Sequence, residues 1–417
     1  MKTLYICYFG LDEPLVQTQV LPYLRELVRG GLEVYLLTFE PDLKNRWPEA
    51  RLRAERERRA AEGIHWTALA YHKRPTIPAT LFDVIAGTVH ARRLIERQNI
   101  EIIHARSHVP GLMAVLLRRL TRRRVIFDLR GLMAEEYQDA GVWQADSLAF
   151  RLTKRTERAI LNRADQLITL TSRAAEWLVN QGVARDRIHV IPCCVDMLRF
   201  SDAGLIESAY LKLRDRFTVV YAGSVIGLYL LREMIRFVCA LREWRADAHF
   251  LVLTAGNHDL VRSAALEEGL PEDALTVLRV PPEHVAPYVA LARAGVSLRK
   301  PTFSQIAASP TKVPEYLAAG VPAVVNAGIG DTDEILRSGR VGVVIEDLSA
   351  ASMRKAADEL LKLLEEGNDL QERCRAAARQ HFSLEEVGGH RYREVYRALG
   401  LKLSQDAAAA RSVTPTV

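Results

Sequence analysis

The chain has 417 residues, of which 49% are hydrophobic and 26% are charged. This composition is typical of a globular protein and excludes disordered and fibrous classes, and the length predicts about two to three domains. The five cysteines have the spacing of neither a disulfide framework nor a zinc site. No signal-peptide core and no apolar run of about 18 residues is visible, so we expect a cytoplasmic protein.

The positive net charge belongs to the first half of the chain. Residues 1–200 hold 31 Lys and Arg against 23 Asp and Glu, a net charge of +8, whereas the remainder carries −2. The basic residues concentrate at 51–59, 118–124 and 151–158. Such asymmetry indicates an anionic surface or substrate, although solvated helix faces would also explain it. The basic runs lack interleaved aromatic residues, so we expect no nucleic-acid partner.

Apolar, β-branched runs alternate with amphipathic helical segments from the N-terminus onward. Strands are predicted at residues 4–9, 33–39, 64–71, 101–107, 124–131, 164–171 and 187–196, and then at 217–224, 249–256, 275–280, 295–300, 322–328 and 341–346. Helices lie between them, for example over 51–62, 81–98 and 150–163. Strands of this kind form parallel sheets that are covered by helices on both faces.

The alternation occurs twice and therefore predicts two doubly wound α/β domains. We place the first at 1–200 and the second at 201–381, with an irregular boundary near 196–216. Residues 382–417 are predicted as a last helix over 382–400, returning to the first domain, followed by a frayed tail. Ligands bind such sheets at the carboxyl ends of the strands, so the cleft between the domains is the expected site.

The turn after the first strand of the second domain contains small residues. Gly223 and Ser224 stand between that strand and the following helix. Small side chains let the backbone approach a ligand, and a helix N-terminus favours an anion. The pattern is equally typical of a purely structural turn.

The segment 309–336 carries a stronger signal. A helix is predicted to open around Pro310 and Thr311, with Ser309 as its N-cap. Its free N–H groups and Lys312 can hold a diphosphate. Glu315 lies about one helical turn further along, where its carboxylate can accept both hydroxyls of a ribose. The alternative is a Lys–Glu pair on a solvated helix.

These residues carry a resemblance to a known family. Segment 309–336, together with 221–224 and 190–200, resembles the family 4 retaining glycosyltransferases of GT-B architecture, and the resemblance runs from residue 1 to about 399. It implies two Rossmann-like domains that face a cleft, with a nucleotide-sugar donor held by the second and an acceptor by the first. It also implies a retaining reaction without metal or cofactor, in which basic side chains and helix N-termini neutralise the departing diphosphate.

The sequence departs from the family pattern at several places. Ala307 stands where the family commonly has a glutamate that contacts the donor sugar. The basic residues that often follow the glycine turn are also missing, and Arg299, Lys300 or Lys312 are the candidates to replace their charge. Because other members share this donor loop, we interpret the chain as an active variant.

In the first domain, charged residues stand at the ends of two predicted strands. The resemblance places Arg106 where the family has a histidine at the donor sugar. Asp128 and Arg130 follow the next strand, and with Lys312 these residues are the predicted catalytic groups. His108 is a candidate for acceptor binding. The alternative is a local Asp128–Arg130 salt bridge with a purely structural role.

The loop after the first strand stands where the family has a glycine-rich loop near the acceptor. Gly10 remains there, and Gln17, Thr18 and Gln19 offer amide and hydroxyl groups that suit sugar hydroxyls. We expect these residues to bind the acceptor.

The leading hypothesis is hexosyl transfer to a glycan, lipid-linked or small-molecule acceptor, as in polysaccharide biosynthesis. Two alternatives remain: a GT-B nucleotide-sugar epimerase or phosphorylase, and a non-catalytic pseudo-glycosyltransferase motivated by Ala307.

A further hypothesis is peripheral attachment of the first domain to an anionic membrane. Apolar residues stand beside arginines in two of its helices. The residues are Leu81, Phe82, Val84 and Ile85 with Arg92 and Arg93, and the arginines at 118, 119 and 122–124.

Overall fold

A computed structural model describes residues 1–201, 213 and 215–400 of the chain. Most of the predicted boundary at 196–216 and the predicted tail beyond residue 400 lie outside the described residues. The described parts confirm the predicted fold class, because they contain two parallel sheets with helices packed on them.

The first sheet has seven parallel strands in the order β3-β2-β1-β4-β5-β6-β7. Its strands are β1 (Lys2–Cys7), β2 (Glu33–Pro41), β3 (Ile64–Tyr71), β4 (Ile102–Arg106), β5 (Arg124–Asp128), β6 (Gln166–Thr169) and β7 (Ile188–Val190). Strands β1, β2, β4 and β5 are almost fully buried in their centres, as expected for a sheet covered on both faces, whereas the edge strand β3 is partly exposed.

The second sheet has six parallel strands in the order β10-β9-β8-β11-β12-β13. Its strands are β8 (Phe217–Ala222), β9 (Ala248–Leu253), β10 (Leu275–Leu278), β11 (Ala294–Ser297), β12 (Ala323–Asn326) and β13 (Gly342–Ile345). In both sheets the strand order reverses beside the first strand, which is where doubly wound sheets bind ligands.

The helices lie between these strands. In the first half they are α1 (Pro14–Gln19), α2 (Leu21–Arg29), α3 (Leu43–Arg46), α4 (Glu49–Ala61), α5 (Thr76–Gln98), α6 (His108–Thr121), α7 (Met133–Asp139), α8 (Leu148–Leu161), α9 (Ser172–Asn180) and α10 (Met197–Ser201). In the second half they are α11 (Leu231–Arg242), α12 (His258–Glu267), α13 (Val285–Ala290), α14 (Lys312–Ala318), α15 (Thr332–Gly339), α16 (Ala350–Leu364), α17 (Asn368–Phe382) and α18 (His390–Ala398). Among the described residues, none of the helices has the length and hydropathy needed to cross a bilayer.

The predicted single helix over 382–400 is wrong in its boundaries. Helix α17 ends at Phe382, Ser383 is extended, and a π-helical turn over Leu384–Gly389 leads into α18. The extended residue pairs with Val195, near the end of the first domain. Beyond it, α18 packs on the first sheet, where Tyr392 and Tyr396 are fully buried.

Candidate functional site

The carboxyl ends of β8 and β11 bring a lysine, an arginine and a tyrosine together. The Lys312 ammonium donates to the Tyr229 hydroxyl at 2.9 Å and lies 4.2 Å from the centroid of the same ring. The Arg299 guanidinium lies 4.6 Å from that centroid. Two cations therefore share one aromatic side chain, which partly offsets their mutual repulsion.

Electrostatics at Tyr229 reflect these two cations. Burial alone would raise the pKa of the phenol, but Lys312 and Arg299 outweigh it and hold the pKa below its usual value. The cluster is therefore a region of positive potential in which Lys312 is buried and the other two side chains are partly exposed. An anion that enters it will be stabilised, because partial burial reduces screening by solvent.

Gly223 makes room for this arrangement. Its φ of +150° is one that other residues rarely adopt, and a Cβ there would stand 2.4 Å from Cε of Lys312. The glycine turn thus lets the lysine side chain pass beneath the end of β8. Ser224 lies in the same turn, where its backbone carbonyl accepts a hydrogen bond from Tyr221.

Arg299 is fixed by two residues of the second domain. Its Nε donates to Gln305 at 2.6 Å, and its backbone N–H donates to Asn326 at 2.8 Å. It also approaches Glu136 of α7 in the first domain. Burial raises the pKa of Glu136, and Arg299 opposes that rise. Lys300, in contrast, makes no side-chain hydrogen bond or ion pair within the described residues.

Glu315 lies half-buried one turn after Lys312 on α14. Burial raises the pKa of its carboxyl, against the opposing effect of Lys312 and Arg199. No hydrogen bond reaches this carboxylate from any residue in the described ranges. It is therefore a free acceptor beside the cationic cluster.

The prediction that Ser309 caps the donor-loop helix is wrong. The helix begins at Lys312, its N-cap is Thr311, and no side chain caps it. The Ser309 hydroxyl instead accepts the backbone N–H of Cys193 at 3.0 Å. Pro310 is buried just before the helix and outside its first turn. The group that takes the Ser309 hydroxyl is the backbone N–H of Cys193, which is 116 positions away in the chain. Periodicity along the chain cannot show a contact of this kind.

In the first domain, Asp128 is the centre of a buried network. Its carboxylate lies 3.3 Å from Arg106 and 3.5 Å from Arg130, and it accepts from the Tyr392 hydroxyl at 2.9 Å. Burial alone would raise the pKa of Asp128, but Arg130, Arg106 and neighbouring groups lower it overall. Asp128 and Arg106 have almost no exposure, so both are placed to hold Arg130 and the last helix.

Arg130 connects this network to the cleft. Its side chain is 9% exposed, and its Nη2 donates to Sγ of Cys193 at 3.2 Å. Nε is buried and has no hydrogen-bond partner within the described residues, whereas Nη1 is held by Asp128 as an ion pair. Unpaired buried donors are costly, so this guanidinium is suited to an anionic ligand. Cys193 also influences the pKa of Tyr229, which places Arg130 near the cationic cluster of the second domain.

The two histidines next to Arg106 lie inside the first domain. His104 bonds to Tyr396, and burial lowers its pKa to about 4 despite the nearby Asp128. His108 is 3% exposed and bonds to Glu157 at 3.0 Å. Its Nδ1 is buried without a partner in the part of the chain that the structure describes.

The polar residues of the first loop are engaged within the protein. Gln17 donates to the Leu11 carbonyl, Thr18 donates to the Pro14 carbonyl, and Gln19 is buried and donates to the Cys194 carbonyl. At Gly10 a Cβ would stand 2.8 Å from a Glu40 carboxylate oxygen. These groups order the loop, and an acceptor would have to compete with their present partners.

Sequence reasoning missed two residues of the cleft. Tyr229 follows the glycine turn, where only basic residues were expected, and its aromatic ring was the available signal. Cys193 carries no recognisable pattern, because its position depends on the approach of one domain to the other. Among the described residues, no cluster of three or more His, Cys, Asp or Glu is arranged to hold a metal.

The chain is similar to known glycosyltransferases in sequence and in fold. The glycosyl transferase 4-like domain family matches residues 16–194. D-inositol 3-phosphate glycosyltransferase of Pseudarthrobacter chlorophenolicus is 23% identical over 295 residues, which cover 68% of each chain. Together these matches support a glycosyltransferase.

Solved structures share the fold at low identity. Sucrose-phosphate synthase from Thermosynechococcus elongatus has a TM-score of 0.71 and 16% identity, covering 96% of this chain and 99% of its own. Anabaena Alr3699/HepE in complex with UDP and glucose has a TM-score of 0.69 and 13% identity, covering 96% and 99%. The two-domain architecture is therefore GT-B.

Proposed function

For a family 4 glycosyltransferase with a GT-B fold, we propose transfer of a sugar from a nucleotide diphosphate to an acceptor hydroxyl, with retention of anomeric configuration and without a metal. The observation that carries the proposal is the pair of cations, Lys312 and Arg299, held around Tyr229. Arg130, whose buried Nε has no hydrogen-bond partner within the described residues, lies on the other side of the cleft. The UDP complex of the structural neighbour Alr3699/HepE supports a uridine nucleotide as the first donor to test.

The chemistry follows from where charge develops. When the bond between the anomeric carbon and the diphosphate breaks, negative charge grows on the leaving phosphate oxygen. Lys312, Arg299 and Arg130 supply positive charge that is already fixed in place, so little reorganisation is needed in the transition state. The acceptor oxygen bonds to the anomeric carbon on the face that the diphosphate leaves, and its proton passes to the departing phosphate.

Glu315 supplies the second part of donor recognition. Its carboxylate has no hydrogen bond from any described residue and lies one helical turn from Lys312. Two neighbouring hydroxyls of a ribose can donate to its two oxygens. In this arrangement Lys312 holds the diphosphate while Glu315 fixes the nucleoside.

The carboxylates of the cleft favour transfer over epimerisation. Proton abstraction from a sugar carbon needs a carboxylate or imidazole that is free to accept. Asp128 is bound by two arginines and a tyrosine, and Glu135 pairs with Lys154 at 2.7 Å. Glu136 is closer to what proton abstraction needs, because burial raises the pKa of its carboxyl and so makes the carboxylate a stronger base. Product analysis with and without an acceptor distinguishes the two reactions.

A lipid-linked acceptor is supported by the surface of helix α5. Ile77, Leu81, Ile85 and Val89 form a stripe with one residue every fourth position, and their exposed fractions are 45–64%. Phe82 widens the stripe, whereas Val84 of the same helix is buried in the core. We include peripheral attachment to an anionic membrane in the proposal, because an exposed apolar stripe can rest on a bilayer.

Charges at both ends of the α5 stripe strengthen this part of the proposal. Lys73 precedes Ile77 by four positions, and Arg93 follows Val89 by four; both are exposed. Asp83 turns inward, and Glu96 pairs with Arg92. Cations at the ends of an apolar stripe are attracted to anionic lipid headgroups.

The function is tested in two stages. A thermal-shift screen of nucleoside diphosphates and nucleotide sugars should show selective stabilisation, because a ligand that binds the folded state raises stability by mass action. The donor identified there is then incubated with candidate acceptors, and the anomeric configuration of the product is determined by NMR. We expect retention and full activity after chelator treatment. Inversion, or activity abolished by chelator and restored by metal, would contradict the proposal.

A further inference from the structure

A histidine–aspartate pair stands at the edge of the first domain, outside the site described above. Nδ1 of His72 lies 2.5 Å from one carboxylate oxygen of Asp83, and the backbone N–H of His72 donates to the other at 3.0 Å. The Tyr8 hydroxyl donates to that same second oxygen at 2.7 Å. Asp83 is 1% exposed, whereas the His72 side chain is 47% exposed.

The pair lies at the edge of the sheet that faces the cleft. His72 directly follows β3 and Tyr8 directly follows β1, so both stand at carboxyl ends of parallel strands. Tyr71, the last residue of β3, packs against Tyr8 with 5.3 Å between the ring centroids. Burial raises the pKa of Tyr71, and Asp83 and Tyr137 of α7 add to that rise. From α7, the Asp139 carboxylate accepts the backbone N–H of Ser304 in the second domain at 3.1 Å.

The hydrogen bonds determine which nitrogen of His72 is available. An ionised carboxylate only accepts, so Nδ1 carries the hydrogen of the bond to Asp83. In the tautomer that carries its hydrogen on Nδ1, Nε2 presents a lone pair as an acceptor. Nε2 has no hydrogen-bond partner within the described ranges of the chain. Because Asp83 is also held by Tyr8 and by a backbone N–H, the imidazole is fixed in orientation.

We propose that His72, positioned by Asp83 and Tyr8, binds a hydroxyl of the acceptor, and that the acceptor presents a sugar or cyclitol ring. This inference rests on the proposed transfer function. The ring's C–H faces have aromatic surfaces to pack on, because Phe82 contacts the His72 ring at 5.0 Å and Tyr71 contacts the Tyr8 ring at 5.3 Å. Phe82 also borders the apolar stripe of α5, which suits an acceptor with an alkyl chain.

The test uses the full-length protein and two acceptor probes, myo-inositol and octyl β-D-glucopyranoside, with UDP-glucose or the donor that the thermal-shift screen selects. His72→Ala should lower kcat/KM for a probe at least tenfold, while the KM of the donor changes less than twofold. His72→Gln places an amide oxygen near the position of Nε2 and should restore part of the loss. Asp83→Asn allows the amide to donate to Nδ1, which moves the ring hydrogen to Nε2, and should cost a similar factor.

His65→Ala is the matched control. His65 lies near the amino end of the same strand, is 49% exposed, and pairs with Glu33. Equal kinetics for His72→Ala and His65→Ala would overturn the assignment, and so would a donor that is hydrolysed by the wild type without transfer to either probe. If His72→Ala raised the KM of donor and acceptor equally, the substitution would have disturbed the whole site, and this result would also overturn the assignment. Failure of the proposed function gives a different result, because the wild type would then show no nucleotide binding in the thermal-shift screen.

Discussion

The ammonium group of Lys312 lies 2.9 Å from the phenol oxygen of Tyr229, although the two residues are 83 positions apart in the chain. The contact joins the donor-loop helix to the turn after β8. It holds the lysine beneath Gly223, where a side chain would collide with it. In this protein Tyr229 thus occupies the stretch in which the family 4 glycosyltransferases that the chain resembles often have basic residues. The cations beside it, Lys312 and Arg299, come from later in the chain.

Removing the lysine should reduce turnover more than donor affinity. We expect Lys312→Ala to lower kcat by about 10²-fold or more, because it removes a charge that acts mainly on the leaving diphosphate. Tyr229→Phe keeps the ring but loses the hydroxyl that orients Lys312, and should have a smaller effect in the same direction. Steady-state kinetics with Lys300→Ala as control test this; comparable losses in Lys300→Ala would refute a special role for Lys312.

Glu315 should determine the preference for a ribose. Glu315→Ala is expected to weaken nucleotide-sugar binding by about 1.5–3 kcal/mol, the range for hydrogen bonds to a charged group. The variant should bind a 2′,3′-dideoxyribose analogue as well as the wild type binds it. Calorimetric titration of both nucleotides measures the difference, with Glu372→Ala, an exposed residue, as control. An unchanged ratio of affinities would contradict the ribose assignment.

Asp128 should stabilise the fold. Asp128→Asn leaves Arg106 and Arg130 buried without their carboxylate, and we expect the free energy of unfolding to fall by about 3–5 kcal/mol. An exposed pair gives the comparison: Asp247→Asn, beside Arg245, should change stability by less than about 1 kcal/mol. Urea denaturation measures both. Equal effects of the two substitutions would contradict this view.

The same carboxylate should make stability depend on acidic pH. Its folded-state pKa is lowered, so its contribution is present above the unfolded value near 3.8 and is lost as the pH falls through the folded value. His104 affects stability at a higher pH than Asp128 does. Its pKa is about 4 in the fold, so stability should fall from about pH 6.5 toward pH 4 by up to about 1.4 kcal/mol per pH unit. Denaturation of His104→Asn across this range should show a shallower slope; an identical slope would exclude His104 as its source.

The stripe on α5 should mediate salt-sensitive membrane binding. Leu81→Ser with Ile85→Ser should reduce sedimentation with anionic vesicles several-fold, because both side chains are more than half exposed. Leu266→Ser, on an exposed apolar residue of α12 in the second domain, is the control. Wild-type binding that is equal with neutral and anionic lipids, or indifferent to salt, would leave an enzyme that acts on a dissolved acceptor.

Helix and strand positions followed from the sequence because they depend on local periodicity. The apolar, β-branched runs at 33–39 and 217–224 predicted strands that the structure contains as β2 and β8. The strand–helix alternation predicted two doubly wound sheets, since such strands are buried on both faces only in that architecture. The placement of Lys312 and Glu315 on one helix also followed from the sequence, because one helical turn separates them.

The tertiary structure decided which groups meet. The Asp128 carboxylate accepts from the Tyr392 hydroxyl, 264 positions away. The Ser309 hydroxyl accepts the backbone N–H of Cys193 instead of capping the helix that follows it. Tyr229 became part of the site only through Lys312 and Arg299, and His72 gained a fixed tautomer only through Asp83 on the next helix. A hydrogen bond or ion pair depends on distance in space, and in a parallel α/β fold neighbouring strand ends are separated by whole helices of sequence. Local patterns therefore determined the elements of this protein, and packing determined its chemistry.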